Sequence, residues 1–459
     1  MKAKKIVSIA LLAALSAGMV GGCAKTGQSD VDTIEVWSGG SHSKSVFDEL
    51  VKEFNEGEGK KSGVQIKYKV IDGDGYQKSL DVALQNGQGP DLFDSTYEIR
   101  KDVENGYLLP LEELPGIDKY VQKYTDKNMM TNEICTLDGK AYKIPKGVTT
   151  QGLIYNKEMF KKAGIVDENG EAKPPETIEE LREVAKKLTN PDEMEYGIIF
   201  PMKWNGWFAS DIRSLGMSSF GHEGWNPATG EYEYEKFMPI LNAYLGMKED
   251  GSVFPGADGL DNDQARARFA AGKIGMKMGF SFDVGVLNDQ FPAEIDWGVA
   301  PYPVIDKNNK YRQRMATGVS FAVNAKSVER VSVEKLAKVF EFFICDETVQ
   351  KLFEEGVELP LDTEKIDYNA AKDGKKGWVE FSKIVEISTP VPREPKQEWT
   401  GMRGLGGLFT NEVWPGNMSV EEACKQANEN NVIARDQYYS KNTNESPDDY
   451  IQPNWNIKR

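Results

Sequence analysis

Residues 34–70 read IEVWSGGSHSKSVFDELVKEFNEGEGKKSGVQIKYKV, and this stretch decides the fold class. Ile34–Trp37 is a short apolar strand, and two glycines follow soon after it. Val46, Phe47, Leu50, Val51 and Phe54 then recur at helical spacing, which puts them on one face. Val64–Val70 alternates apolar and polar residues, as a strand covered on one side does. Strand, helix and strand in this order form the unit of a mainly parallel sheet with helices on its faces. Further on, Tyr76, Leu80, Ala83 and Leu84 line a second helix, GQGPD (Gly87–Asp91) breaks it, and the short strand Leu92-Phe93 follows. Ligand loops in such sheets leave the carboxyl ends of strands. Trp37–Lys44 and Ser95–Glu98 leave such ends, so one rim is expected to carry both.

A strand, a glycine turn and a helix start is also the outline of a phosphate cradle, yet WSGGSHSK fits neither G-x-x-x-x-G-K-[ST] nor G-x-G-x-x-G. Gly318–Ala322 (GVSFA) lacks the second glycine of a nucleophile elbow and reads as a buried strand. His42 and His222 are the two histidines, which leaves few bases for a Ser–His–Asp site. The acidic turns at Asp72–Asp74 and Asp258–Asp263 do not fit a calcium loop, and Tyr438–Tyr439 reads as packing in a C-terminal helix. No metal and no cofactor is expected. A glycoside hydrolase needs two carboxylates facing a cleft, so a secreted hydrolase stands as the enzyme alternative.

With 459 residues the chain is too long for one compact core, and two lobes are expected. Its 56 basic and 72 acidic side chains give a net charge of −16. Such a surface repels polyanions and anionic headgroups, which excludes nucleic acid as a partner. Lys2, Lys4 and Lys5 precede the apolar run Ile6–Val20, which is too short to span a membrane comfortably and reads as a secretory signal. It ends in Val20-Gly21-Gly22-Cys23, which resembles a bacterial lipobox and implies lipid attachment at Cys23 after removal of residues 1–22. Two acyl chains are needed for stable anchoring. Residues 23–32 then form the lipidated cysteine and a flexible tether. Cys135, Cys345 and Cys424 are odd in number, show no disulfide framework and read as structural. Downstream, DGK (Asp138–Lys140) predicts a tight hairpin, and Thr177/Glu180 and Ser419/Glu422 predict capping boxes.

Several strings together resemble one family: IEVWSGG, GQGPDLFDS, GKAYKIPKGVTTQGLIYNKEMFKKAGI, PPETIEELREVAKKL, ARARFAAGKIGMKMGFSFD, DWGVAPYPV, GVSFAVNAKS and the SVEEA helix. In this order they are similar to the extracellular solute-binding proteins of carbohydrate-uptake ABC transporters, with a layout like that of maltose-binding protein. The resemblance implies an α/β, two-lobed periplasmic-binding-protein fold of the type II kind, each lobe a mainly parallel sheet flanked by helices. Lobe one would take residues 33–148 and 318–358, and lobe two 149–317 and 359–459, with the ligand cleft at the hinge. It also implies a monomer that is not an enzyme and works outside the cytoplasm, anchored by lipid, as a Gram-positive-type surface lipoprotein. Its partners would be a carbohydrate and the transmembrane permease subunits with their cytoplasmic ATPase. A polyamine- or metal-binding member of the same fold is a further alternative.

Carried over by motif position, the ligand-facing residues are Ser41 and His42 after the first strand, and Tyr97 and Glu98 after GPDLFD. Thr149 and Gln151 follow the YKIP string, where maltose-binding relatives have a glutamate. The aromatic platforms would be Trp204 or Trp207, and Phe280 or Phe282 with Asp283. Trp399 and Arg403 are four apart, hence on one face if helical. The residue types suit sugars: a ring stacks on the C–H face of a pyranose, and charged groups make the stronger hydrogen bonds to its hydroxyls. Trp225 and Trp414 read as packing residues, and Trp37 as packing beneath its loop.

Overall fold

The computed structural model describes residues 31–40, 43–71, 75–95, 99–126, 129–131, 133–361, 367 and 374–459, with the side chains of Asn205 and Trp207 outside that description. Strand Asp32–Ser38 lies inside a four-stranded sheet. It pairs in parallel with Val64–Val70 on one side and Leu92–Phe93 on the other, and Ala322–Val323 closes that edge antiparallel. Ile34 and Val36 are fully buried, as the alternation requires. The Lys44–Glu56 helix buries Val46, Phe47, Leu50, Val51 and Phe54, and the Gly75–Gln85 helix buries Tyr76, Leu80 and Leu84. A short helix, Glu58–Ser62, continues beyond Gly57 and stops at Gly63, whose φ of 63° is the left-handed conformation glycine tolerates best. Phe47, Phe54, Leu111, Phe321, Phe340 and Phe343 belong to the core on this sheet.

The second sheet has seven strands and is organised by the long strand Pro145–Asn156. Alternate residues of that strand enter different cores: Leu153 and Tyr155 join Phe160, Phe200 and Tyr244, while Ile154 joins Trp297 and Trp378. Both faces are therefore covered, which explains why the strand reads as a nearly continuous apolar run. The sheet is mixed rather than mainly parallel. Ile274–Phe280, Trp297–Ala300, Gln313–Val319 and Leu359–Pro360 all run antiparallel to the long strand, and parallel pairs occur only with Tyr196–Ile199 and Ser388–Pro390. Gly197 lets the Ile178–Leu188 helix lie directly on the sheet, because a Cβ there would stand 1.9 Å from the Ala185 carbonyl oxygen.

Three segments cross side by side between the two lobes. Ser320 N–H donates to the Ile144 carbonyl at 2.8 Å, Ile144 N–H donates to Ser320 Oγ at 3.0 Å, and Val319 pairs with Pro145. Leu359 and Pro360 pair with Val148 and Gly147 from the other side. Ser320, in the string that superficially resembled a nucleophile elbow, is thus a buried structural residue. The hairpin at Asp138-Gly139 has both residues at positive φ, and both capping boxes are formed. Cys345 sits at the start of the Asp346–Glu354 helix, and it, Cys135 and Cys424 are free thiols, the last two buried. Among the described residues, no helix is long and apolar enough to cross a membrane.

Candidate functional site

At the rim of the first lobe the two loop stems are tied together. Ser38 Oγ donates to Asp94 Oδ2 at 2.7 Å, Gly39 N–H donates to the same oxygen at 3.0 Å, and Tyr76 OH donates to the Asp94 carbonyl at 2.8 Å. Trp37 is half-buried, with its indole N–H on Glu35 and Lys69 over its ring at 4.3 Å. Ser41, His42, Tyr97 and Glu98 lie outside the described residues, as does Cys23.

In the second lobe a pocket of about 480 Å³ opens between the Asn205–Phe220 helix, the 394–407 segment and the Val420–Lys441 helix. Glycines make this packing possible: a Cβ on Gly406 would stand 2.5 Å from Ala209 Cβ. Trp399 lines the pocket and is 41 % exposed. Its Nε1 donates to Gln397 Oε1 at 3.0 Å, and Gln397 Nε2 in turn donates to Tyr232 OH at 2.6 Å and Asn431 Oδ1 at 2.9 Å. The indole is therefore held in place while part of its surface faces solvent. Arg403 lines the same pocket, pairs with Glu412 at 2.6 Å, and has its carbonyl fixed by Asn430 at 2.9 Å. Trp399 and Arg403 do not share a helix face; a loop with Gly401 at φ 71° brings them together instead.

Two further residues in this pocket, Arg213 and Glu394, escaped the sequence reading. Arg213 projects from the Asn205–Phe220 helix and Glu394 from the extended segment before Trp399. Glu394 lines the pocket, where surrounding protein displaces part of its water. That desolvation raises its carboxyl above the ordinary value, against the pull of Arg213. The one local signal was Pro395, which holds Glu394 extended ahead of the tryptophan.

Other carried-over residues lie outside this pocket's lining, and two of them are engaged inside the protein. Gln151 is 3 % exposed, accepts from Ser214 Oγ and donates to Ser210 Oγ at 3.3 Å, so it braces the Asn205–Phe220 helix instead of facing a ligand. Thr149, two residues earlier in the same strand, is half-buried. Asp283 is fully buried and accepts from Arg266 Nε at 2.8 Å, Phe280 N–H at 3.1 Å and Lys277 Nζ at 3.3 Å. Burial alone would raise this carboxyl, but Lys277 and Arg266 hold it below the ordinary value. Its acceptor capacity is consumed inside the protein. Phe280 and Phe282 stack on each other, centroids 4.9 Å apart and planes within 7°, with Arg266 5.7 Å from the Phe282 centroid. They are half-buried and outside the lining of the Trp399 pocket. Trp204 is 59 % exposed and lies over Gly206, which does line that pocket. Trp207 is placed in the helix by its backbone alone. Trp225 and Trp414 are buried, as packing residues should be.

An ion cluster joins the lobes beside these elements. Glu133, 5 % exposed and at φ 62°, accepts from Arg100 Nε at 3.1 Å, Arg393 Nη2 at 2.7 Å and Lys396 Nζ at 3.2 Å. Burial would raise its carboxyl, but the donors from Arg100 and Arg393 and the charge of Lys396 bring it to about 2. Lys396 also pairs with Glu445 at 3.1 Å.

Comparison with known proteins agrees with this architecture. A maltotriose-binding protein from Pyrococcus abyssi is 28 % identical over 363 residues, 77 % of this chain and 72 % of that protein. An sn-glycerol-3-phosphate-binding periplasmic protein from Brucella melitensis is 24 % identical over 425 residues, 86 % of this chain and 90 % of its own. Among solved structures, the maltose/maltodextrin-binding domain of Bdellovibrio bacteriovorus bound to maltotriose superposes with a TM-score of 0.64 at 19 % identity, covering 89 % of this chain and 100 % of that one. The family model of bacterial extracellular solute-binding proteins matches residues 39–343, and the chain, two-lobed and with a pocket lined by Trp399 and Arg403, belongs to that family.

Proposed function

We propose that the protein captures a carbohydrate, an oligosaccharide, between its lobes and delivers it to the permease subunits of an ABC importer. Family membership supports a binding protein of the extracytoplasmic space. The observation that carries the sugar reading is Trp399, a partly exposed indole anchored through its N–H beside Arg403, Arg213 and Glu394 in one pocket. An aromatic face next to fixed donors and acceptors matches a pyranose, whose C–H face is apolar and whose edge is polar. The relative named for maltotriose supports the same reading.

In this proposal lobe one comprises residues 33–148 and 318–358, and lobe two 149–317 and 359–459. Separate hydrophobic cores and three adjacent crossings support that division. Ser41, His42, Tyr97 and Glu98 would complete the site from lobe one, with Trp204 or Trp207 and the Phe280–Phe282 pair as further platforms. Cys23 carries the lipid that anchors a monomeric protein to the cell membrane, as in a Gram-positive-type surface lipoprotein, with residues 24–32 as tether.

The test is differential scanning fluorimetry against maltotriose, xylotriose, raffinose, acidic oligosaccharides and amino-sugar oligomers. A ligand at 100 times its Kd adds about 2.7 kcal/mol of stability, a clear rise in Tm. A protein that responds to no sugar refutes the reading. Recovery of the bound sugar intact after overnight incubation separates binding from the hydrolase alternative.

A further inference from the structure

The charged groups around the Trp399 pocket are matched except for two. Arg403 pairs with Glu412 at 2.6 Å, and Arg314 pairs with Glu223 at 2.8 Å. Arg213 and Glu394 line the same pocket, yet no ion pair joins them and neither hydrogen-bonds to any described residue. A guanidinium in this setting has several N–H donors unspent, and a carboxylate has its acceptor sites unspent.

We infer that Arg213 and Glu394 form a donor–acceptor couple that recognises an electrically neutral, polyhydroxylated ring, and that together they exclude charged sugars. The inference rests on the carbohydrate reading and adds the ligand's charge class, which family membership leaves open. Each sugar hydroxyl is both donor and acceptor. Adjacent hydroxyls can accept from Arg213 and donate to Glu394 at once, so one neutral ring fills both valences with charge-assisted bonds. A carboxylate or phosphate on the ligand would gain Arg213 but stand against Glu394, and an ammonium group would meet the opposite conflict. Repulsion of this kind supplies specificity as much as the attractive contacts do. Trp399 on the pocket wall suits the apolar face of the same ring.

The experiment uses the mature chain with maltotriose, xylotriose and raffinose as neutral probes, tri-galacturonate and sn-glycerol 3-phosphate as anions, and a chitosan trimer as cation. Binding is measured by calorimetry at low ionic strength for the wild type, Arg213→Gln and Glu394→Gln. A neutral probe is expected to bind most tightly, and each substitution is expected to weaken it at least tenfold. Glu394→Gln, which removes the negative charge alone, is expected to shift the ratio of tri-galacturonate to neutral affinity at least tenfold towards the acid. The melting temperature without ligand reports folding. Should Arg213→Gln fail to fold, Arg213→Lys keeps the charge but loses the fork and must still weaken the neutral probe. Wild-type preference for tri-galacturonate or the chitosan trimer overturns the inference while leaving the carbohydrate reading intact, and preference for sn-glycerol 3-phosphate overturns both. A neutral affinity that stays within twofold in both variants overturns the inference alone. Failure of every probe to bind overturns the carbohydrate reading itself, and this inference with it.

Discussion

Glu133→Gln tests whether the cluster between the lobes holds them together. Glu133 is nearly buried and accepts from Arg100 on its own lobe and from Arg393 and Lys396, which come from the segment following strand Ser388–Pro390 of the other sheet. Glutamine has a similar shape but no charge, so three cations would be left facing one another. A carboxyl held at about 2 instead of the ordinary 4.5 corresponds to about 3 kcal/mol in favour of the ionised native form. Arg100 and Arg393 are 39 % and 28 % exposed, and solvent screening there reduces the figure to about 1–2 kcal/mol. Because the folded carboxyl titrates below its unfolded value, this stability is fully present above the unfolded pKa and is lost as pH falls through about 2. Urea unfolding at pH 7 is expected to show the variant less stable by about 1–2 kcal/mol, with the gap narrowing as pH is lowered below the ordinary glutamate range. X-ray scattering of the unliganded variant should show a larger radius of gyration, since the bond between the lobes is weakened. Equal stability at pH 7, or a gap that does not change with pH, would refute the reasoning.

Trp399→Ala should weaken sugar binding by about 1–2 kcal/mol, because the exposed part of the indole, on the order of 100 Å², is covered by ligand at about 25 cal/mol per Å² and only one face stacks. Calorimetry checks this, and an affinity within twofold of wild type removes the residue from the site. Asp283→Asn is expected to cost about 3–5 kcal/mol of stability, since it leaves Lys277 buried without the carboxylate it bonds to and Arg266 with Asp263 as its remaining partner. A loss below 1 kcal/mol by chemical denaturation would show that the cluster is not what holds the end of strand Ile274–Phe280. Cys23→Ala should release the protein into the medium during expression in its host. Retention on the membrane after that change contradicts the lipid-anchor reading.

Much of the framework is legible in local sequence because its causes are local. The apolar periods of Val46–Phe54 and Val64–Val70 predict helix and strand, and the structure forms them with matching buried faces. Thr177/Glu180 and Ser419/Glu422 close their boxes within one helical turn, so three residues of spacing suffice to predict them. The mixed second sheet was not legible. Strand direction there depends on where Pro145–Asn156 enters relative to strands more than a hundred residues later, and periodicity carries no sign of direction.

The same divide separates the pocket's residues. The resemblance implied Trp399 and Arg403 as a pair, and the structure places both in one pocket, though a glycine-bearing loop and not a helix joins them. By itself the sequence determined which segments are strands and helices and which ends are capped, and the resemblance singled out Trp399 as a candidate. Only tertiary structure decided which polar side chains are spent. Asp283 and Gln151 look as available as Arg213 and Glu394 in the sequence. Their partners, however, are Arg266 and Lys277, which donate to the buried Asp283, and Ser214 and Ser210, of which the first donates to Gln151 and the second accepts from it, so both side chains are engaged inside the protein. Hydrogen-bond valence is a property of neighbours in space, and a chain that has not folded has not yet chosen them.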